Sequence, residues 1–393
     1  MKKVIANALS ISAIGYLIFL LFYPILSAFN FLGNNLKYLY ILLLLQGLNQ
    51  IFAQYTRGIG ESTKFALNGI ITTFFTGMFN VIFLVYLNRG LDGYFLAYIF
   101  GYLISVLYLL ISTQPLKGVR FSDLDKDIST TFLRYSIPLI PNSLMWWLIN
   151  SSSRYFINWF VGIEANGLFA VSSKIPALIN IISQVFSQAW QLSAFEEYEN
   201  SESAKFYSNV FDLYFSVLLL TTSAIILVIK PVFSLLFADS YFDAWQPVPF
   251  LLLGTTFSAA SGFIGVAYTA SKKTSGVFRT SIYGGIISLI LNLIFIPTLG
   301  IIGAGISSMV SFFAMFIIRY FDTKDLISIK INWRKIFSTL LLIGIQIFVI
   351  FLGLEARIEL IINSLILLLI LIVNRNLFDY IIKMYHAIRS REK

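Results

Sequence analysis

Long apolar runs, each close to twenty residues and separated by short polar breaks, pattern this chain from end to end. A helix crossing a bilayer core needs about 20 predominantly apolar residues. Twelve runs approach or exceed that length: 4–28, 36–56, 66–87, 94–113, 131–153, 165–192, 206–229, 246–268, 277–297, 300–318, 336–354 and 358–374. The pattern predicts an all-α, polytopic membrane protein of about 12 transmembrane helices. No gap is longer than 114–130, so no soluble catalytic domain fits between the runs. The first run follows Met1-Lys2-Lys3, as a signal peptide would. It is long for one, lacks a small-x-small cleavage site and precedes eleven more runs, so it reads as a span.

Composition agrees: 58% of residues are hydrophobic and 12% charged, against about 25% charged in a soluble domain. The net charge of +9 looks like a polyanion signal until its carriers are mapped. Alternate gaps hold 22 of the 28 lysines and arginines, Arg319 among them. The other set holds only Lys37, Arg89, Arg154, Lys230 and Arg357, and Lys174 lies inside a span. Such asymmetry marks the cytoplasmic side. The excess charge therefore orients the chain, with both termini cytoplasmic, rather than binding nucleic acid. The acidic gap 193–205 (Glu196, Glu197, Glu199, Glu202) does not overturn this, because the rule counts Lys and Arg. Cysteine is absent and His386 is the single histidine. Disulfides and thiolate metal sites are excluded, and no histidine-based metal or acid–base site is expected; no cofactor is implied.

Transporters are often built from internal repeats. Pro24 and Ser27 match Pro231 and Ser234, Tyr55-Thr56 match Tyr268-Thr269, Asn80 matches Asn292, and Gly90-x-x-Gly93 matches Gly300-x-x-Gly303. The near-constant offset pairs spans one to four with spans seven to ten in the same orientation. This is a parallel repeat about an axis along the membrane normal. The second copy has two leading helices, spans five and six, that the first copy lacks. The expected organisation is an incomplete N-terminal lobe (1–113), a cytoplasmic linker (114–130), a six-span C-terminal lobe (131–322), an additional helix pair (336–374) and a basic tail (375–393).

Polar residues within the spans are the functional candidates, because ionisable groups at mid-membrane are costly. Span five carries Asn142, Trp146, Asn150, Arg154 and Asn158, four residues apart on one slowly drifting face. Two readings fit: a water-filled cavity wall, or helix packing through Asn and Ser with Arg154 snorkelling to the interface. Span six adds Asn180, Gln184, Ser187, Gln188 and Gln191, with Lys174 about ten residues into the span. Spans two and three carry Gln46, Asn49, Gln50, Gln54 and Arg57, then Asn68, Thr72, Thr76 and Asn80. Arg57 sits at the cytoplasmic rim, where topology alone accounts for it. Pro138, Pro141 and Pro176 either bend the two cavity helices or mark helix ends. Trp146 and Trp147 suit stacking on a sugar face, whereas Trp159 reads as an interface residue.

The acidic residues argue by absence. Asp212 lies within a span but near its cytoplasmic end, whereas proton and cation antiport commonly uses intramembrane carboxylates. Two intramembrane cations without a central carboxylate favour an anionic substrate, such as a phosphate or pyrophosphate, over a cationic drug.

Three stretches carry a family resemblance: Arg134-Tyr-Ser-Ile-Pro-Leu-Ile-Pro141, Tyr55-Thr-Arg-Gly-Ile-Gly-Glu-Ser-Thr-Lys64 and Leu91-Asp-Gly93. With them the chain resembles the polysaccharide repeat-unit flippases (Wzx type) of the superfamily that also contains lipid II flippases and MATE exporters. The resemblance covers essentially the whole chain. It implies two pseudo-symmetric six-helix lobes around a central cavity, the first lobe here lacking its first two helices. It implies export of undecaprenyl-diphosphate-linked oligosaccharides across the bacterial cytoplasmic membrane, without enzymatic activity. The implied partners are that anionic lipid-linked oligosaccharide, membrane lipid and other polysaccharide assembly proteins. Basic residues commonly line the cavity of such proteins, and Arg154 and Lys174 are the positions that could serve here. Asn150, Trp146, Gln184, Gln188 and Arg57 complete the candidate site, with no metal ligands. A MATE-like cation exporter would call for a central carboxylate, and a membrane glycan polymerase or ligase for a long external loop. Moving a bulky glycan calls for lobes that rock alternately, with the polar linker 114–130 accommodating the movement.

Overall fold

The computed structural model describes residues 2–375 and 377, except 31, 199 and 201. Most of the basic tail, with His386, lies outside the described residues. Among the described residues the secondary structure is entirely helical: α1 (Lys2–Leu21), α2 (Tyr23–Ala28), α3 (Leu36–Gly58), α4 (Ser62–Asn80), α5 (Gly90–Thr113), α6 (Lys126–Ser136), α7 (Leu139–Phe160), α8 (Ile163–Ser172), α9 (Pro176–Glu197), α10 (Ser203–Leu236), α11 (Val248–Ala270), α12 (Ser275–Asp322), α13 (Trp333–Phe351) and α14 (Ala356–Val373). They form two compact units, Met1–Arg134 and Tyr135–Lys393.

Nine described helical segments are long and apolar enough to cross a membrane, or ten with the bent pair α8–α9. Two facts reconcile this with the twelve runs. At 48 residues, α12 is about 70 Å long, far more than one bilayer crossing, and it contains the runs 277–297 and 300–318. Its non-helical residue is Gly300 (φ 57°, ψ −133°), a backbone region that side chains disfavour. α7 is long enough, but its polar stripe lowers its hydropathy.

Prolines mark the starts of α7 and α9. The run 131–153 is divided: α6 ends at Ser136 and α7 begins at Leu139, with Pro138 as its N-cap. Pro disfavours helical conformation in the residue before it and donates no N–H, so it suits a helix start. Pro141 then falls in the first turn of α7. Pro176 opens α9, which meets α8 at 47°. Helix ends therefore account for Pro138 and Pro176, and the break around residues 173–175 carries Lys174.

In the first unit, Asn49 of α3, Asn68 and Thr72 of α4 and Ser105 of α5 satisfy one another. Asn49 Nδ2 donates to Ser105 Oγ (2.7 Å) and to Asn68 Oδ1 (3.3 Å), and Thr72 Oγ1 lies 2.6 Å from Ser105 Oγ. Closing these groups on each other avoids the cost of burying them unpaired. In the second unit the core is aromatic: Phe263 stacks on Trp190 (4.2 Å between centroids), and Phe211 and Phe215 stack on Phe316.

The two glycine pairs of the sequence repeat share local geometry. Gly90 and Gly300 both have positive φ (54° and 57°). Three residues on, each helix runs close to the end of the preceding one. A Cβ at Gly93 would stand 3.1 Å from the Phe83 carbonyl oxygen, and one at Gly303 would stand 2.1 Å from that of Phe295.

The final helix pair is tied to α10. Lys335 of α13 donates to both Asp212 oxygens (3.0 and 2.9 Å). Toward the other end of α10, Lys230 donates to Glu359 of α14 and to the Ile350 carbonyl, both at 2.7 Å. Between them, Ser223 donates to Gln346 Oε1 (2.8 Å). Each charge on one side thus meets its opposite on the other, which is how buried charges are tolerated.

Candidate functional site

α7 docks on α12 through small residues. Gly284 and Gly285 bring α12 close to Ile149 and Met145, Ser281 donates to Asn142 Oδ1 (2.6 Å), and Asn292 bridges Ser153 (3.2 Å) and Ser152 (3.1 Å). The polar stripe of α7 therefore divides between the two readings. Four residues turn a helix by about 400°, so a strict four-residue stripe winds about 40° per step. Asn142 and Trp146 consequently pack inward, whereas Asn150 and Arg154 reach a cavity, and Asn158 is exposed.

That cavity, of about 140 Å³, lies within the second unit. α7 contributes Asn150, Ser153 and Arg154; the break between α8 and α9 and the start of α9 contribute Ser173 and Asn180; Thr255 and Ser258 come from α11 and Ser308 from α12. Phe169 and Phe312 supply aromatic surface. Arg154 is the single charged lining residue, and its guanidinium makes no hydrogen bond or ion pair among the described residues. A lone cation amid hydroxyl and amide groups attracts anions and hydrogen-bonds polyhydroxyl groups. It repels cations, and the repulsion strengthens as water is excluded.

The other predicted site residues fall as follows. Asn150 Nδ2 donates to the Trp146 carbonyl (2.7 Å), fixing its amide at the cavity edge. Trp146 lies behind the cavity, its ring 5.6 Å from that of Phe312. Lys174 is exposed in the helix break next to Ser173, outside the cavity lining. Gln184 and Gln188 are exposed on α9, away from its buried Ile179, Ser183 and Trp190. Arg57 belongs to the first unit, where its guanidinium lies 5.8 Å from the Phe65 ring centroid. The structure thus brings Asn150 and Arg154 together with Asn180, and sets Trp146 behind them.

Sequence reasoning missed Arg319, which it counted as a flanking basic residue. Arg319 is 2% exposed, donates to the Ser261 carbonyl (3.0 Å), Thr280 Oγ1 (3.0 Å) and Ser281 Oγ (2.7 Å), and lies 5.5 Å from the Trp146 ring centroid. It ties α11 and both arms of α12 to the residue that backs the cavity. A cation–π contact with Trp gains when desolvated. The signal available in sequence was its distance from the helix end: three residues of α12 follow it. Ser173, Thr255, Ser258 and Ser308 were missed too, because single hydroxyls in apolar helices are too common to flag.

Among the described residues no group of acidic, histidine or cysteine side chains is arranged to hold a metal. Asp212 and Glu359, the carboxylates the sequence puts within spans, are engaged by Lys335 and Lys230, and neither lines the cavity.

Residues 1–195, reaching from α1 into α9, match the family model described as "Polysaccharide biosynthesis protein". No curated protein matches the chain by sequence. Solved structures share its fold at low identity. A MATE protein in complex with MaL6 superposes with a TM-score of 0.70 at 18% identity, covering 83% of this chain and 80% of its own. The Vibrio cholerae MATE transporter VcmN in its bent form gives 0.67 at 12%, over 82% and 77%. The lipid II flippase MurJ in an inward closed conformation gives 0.58 at 14%, over 96% and 85%.

Proposed function

We propose that this multi-pass membrane protein, whose residues 1–195 carry the polysaccharide biosynthesis protein family and whose fold is shared with MATE transporters and a lipid II flippase, moves lipid-linked oligosaccharide repeat units across a membrane. The substrate is an undecaprenyl-diphosphate-linked oligosaccharide destined for cell-surface polysaccharide. The membrane is the bacterial cytoplasmic membrane, with both termini of this chain on the cytoplasmic side, and no bond is made or broken.

The observation that carries this reading is the cavity around Arg154: one unpaired guanidinium, seven hydroxyl- or amide-bearing lining residues, two phenylalanines and no carboxylate. A diphosphate and a glycan offer the matching chemistry, oxyanions for the arginine and hydroxyls for Asn, Ser and Thr. Charge-assisted bonds to arginine are roughly twice as strong as neutral ones. Lys174, exposed beside Ser173, is a second cation on the approach. Gln184 and Gln188 extend a polar face along α9 from Asn180, giving sugar hydroxyls partners beyond the cavity. Expelling a cationic drug instead would bring positive charge against Arg154 with no acid to offset it.

The test is translocation in liposomes. The purified chain is reconstituted with a fluorescent polyprenyl-diphosphate oligosaccharide, and the labelled headgroup is quenched from outside with a membrane-impermeant reagent. Proteoliposomes are expected to expose inner-leaflet headgroups faster than protein-free liposomes, and Arg154→Gln is expected to slow them. Equal rates with and without protein would overturn the reading.

A further inference from the structure

The connector that follows α5 looks merely polar in composition, yet it ends in the amphipathic helix α6. α6 buries none of its residues. Ile128, Phe132 and Tyr135 recur at helical spacing on one side, opposite Lys126, Thr130 and Arg134. Such a helix, apolar on one face and basic on the other, belongs to a lipid interface. Upstream, Leu116 and Leu124 are exposed, at 46% and 45%.

The same segment closes one side of a groove in the first unit. The groove, of about 530 Å³, runs along α1, where Ala6, Leu9, Ala13 and Leu17 line it turn after turn, and Leu116 and Leu124 face them. Arg120 is its single charged residue. The connector is held there by specific bonds. Asn7 donates to the Asp123 carbonyl (3.3 Å) and accepts from the Asp125 N–H (3.1 Å) and Ser129 Oγ (2.6 Å), while Lys3 pairs with Asp125 (3.0 Å). The turn at Gly118 (φ 70°) brings Lys2 into the same corner: a Cβ there would stand 2.8 Å from Lys2 Nζ. Lys117 and Arg120 have no ion-pair partner among the described residues; Asp125 pairs with Lys3, and Asp123 accepts from the Arg120 backbone N–H (2.8 Å) and keeps its charge, so the cations Lys2, Lys3, Lys117 and Arg120 outnumber these two carboxylates.

We propose that this corner is a binding site for an anionic phospholipid, its phosphate head at Lys2, Lys117 and Arg120 and one acyl chain in the groove along α1. The apolar groove matches a hydrocarbon chain, and the excess of cations in this corner, with Arg120 on the groove itself, matches a phosphate with net negative charge. A zwitterionic head satisfies only part of that demand. Basic groups at a membrane surface draw anionic lipids in this way. The connector is then fastened to the bilayer as well as to α1. The proposal rests on the membrane reading of the chain and not on which substrate it moves.

The test uses native mass spectrometry of the full chain released from nanodiscs holding equal amounts of phosphatidylglycerol and phosphatidylcholine. One phosphatidylglycerol is expected to remain bound at several times the abundance of phosphatidylcholine. Two variants attack the site from different sides: Lys117→Gln with Arg120→Gln removes the head contacts, and Ala13→Trp fills the groove at an exposed position. Both are expected to lose the preference, whereas Lys272→Gln with Lys273→Gln, in the second unit, is expected to keep it. Equal retention of the two lipids by the parent overturns the proposal, as does a preference that survives either site variant or falls equally in the Lys272/Lys273 control. A co-purifying protein displaced by Ala13→Trp, with no lipid preference, would assign the groove to a protein partner and overturn it too. Unfolding midpoints of the variants, read alongside, separate loss of the lipid from loss of the fold.

Discussion

Removing the partners of the Asp212–Lys335 pair one at a time tests whether the carboxylate within the seventh run is structural. Lys335 Nζ lies 3.0 and 2.9 Å from the two carboxylate oxygens, with the lysine side chain 8% exposed and the aspartate 31%. Breaking a fully buried pair costs about 3–5 kcal/mol, because the remaining charge stays desolvated. The two partners differ in how much water they keep. Asp212→Leu strands the more deeply buried ammonium and removes both of its hydrogen bonds to the carboxylate, so it is expected to cost about 3 kcal/mol. Lys335→Met leaves a carboxylate with partial access to water, and about 1.5 kcal/mol is expected. The double variant buries no unpaired charge and is expected to cost about 2 kcal/mol, which leaves a coupling of about 2–3 kcal/mol. Unfolding in detergent, followed by the fluorescence of the six tryptophans, measures all four proteins. Translocation by the double variant is expected to survive. Additive single effects would refute the pair as described. Loss of translocation by a folded double variant would show that the carboxylate takes part in transport.

Other outcomes follow from the backbone, the linker and the cavity. Gly303→Ala is expected to destabilise the chain by more than about 3 kcal/mol, since its Cβ would overlap the Phe295 carbonyl; Gly300→Ala, which meets no atom but needs φ 57°, should cost about 1–2 kcal/mol. Unfolding midpoints that rank the two in the reverse order would contradict the geometry at this kink. The Lys3 ammonium and the Ile128 N–H hold the Asp125 carboxyl below the usual carboxylate range. Its contribution is therefore complete above the ordinary value of about 3.9 and is lost as pH falls through the lowered folded value. Amide exchange of Ile128, corrected for its intrinsic pH dependence, is expected to show less protection below that range, and Asp125→Asn to abolish the change. The chain has no cysteine, so Asn150→Cys gives a thiol without background; it is expected to react with a water-soluble reagent, whereas Ile149→Cys, 1% exposed before substitution, is not.

Much of this architecture is legible in the sequence because the bilayer leaves few options: runs of twenty apolar residues become helices, and the starts of α7 and α9 fall at proline. The positive φ shared by Gly90 and Gly300 was legible because glycine takes that backbone region without cost. What the sequence hid is which polar residues face one another. Asn142, Asn150 and Arg154 share a four-residue spacing, but the helix winds under that spacing, so the first packs on α12 and the other two meet a cavity. Arg319 looked like one more flanking cation, because its oxygen partners come from Ser261 far along the chain and from Thr280 and Ser281 on the other arm of α12. The charge pairs that hold α13 and α14 to α10 were hidden for the same reason: their members lie more than a hundred residues apart.

The most direct measurement is binding of a short-chain polyprenyl-diphosphate disaccharide to the detergent-solubilised chain, compared with the same disaccharide on a neutral polyprenyl ether, followed by tryptophan fluorescence with Trp146 behind the cavity. With Arg154 as the oxyanion partner, the diphosphate is expected to bind the parent at least tenfold more tightly than the ether. Losing a charge-assisted bond of about 1.5–3 kcal/mol in Arg154→Gln should remove most of that difference, leaving ether binding unchanged. Equal affinity of the parent for both probes, or a diphosphate preference that persists in Arg154→Gln, would contradict the assignment of the cavity as an anion site.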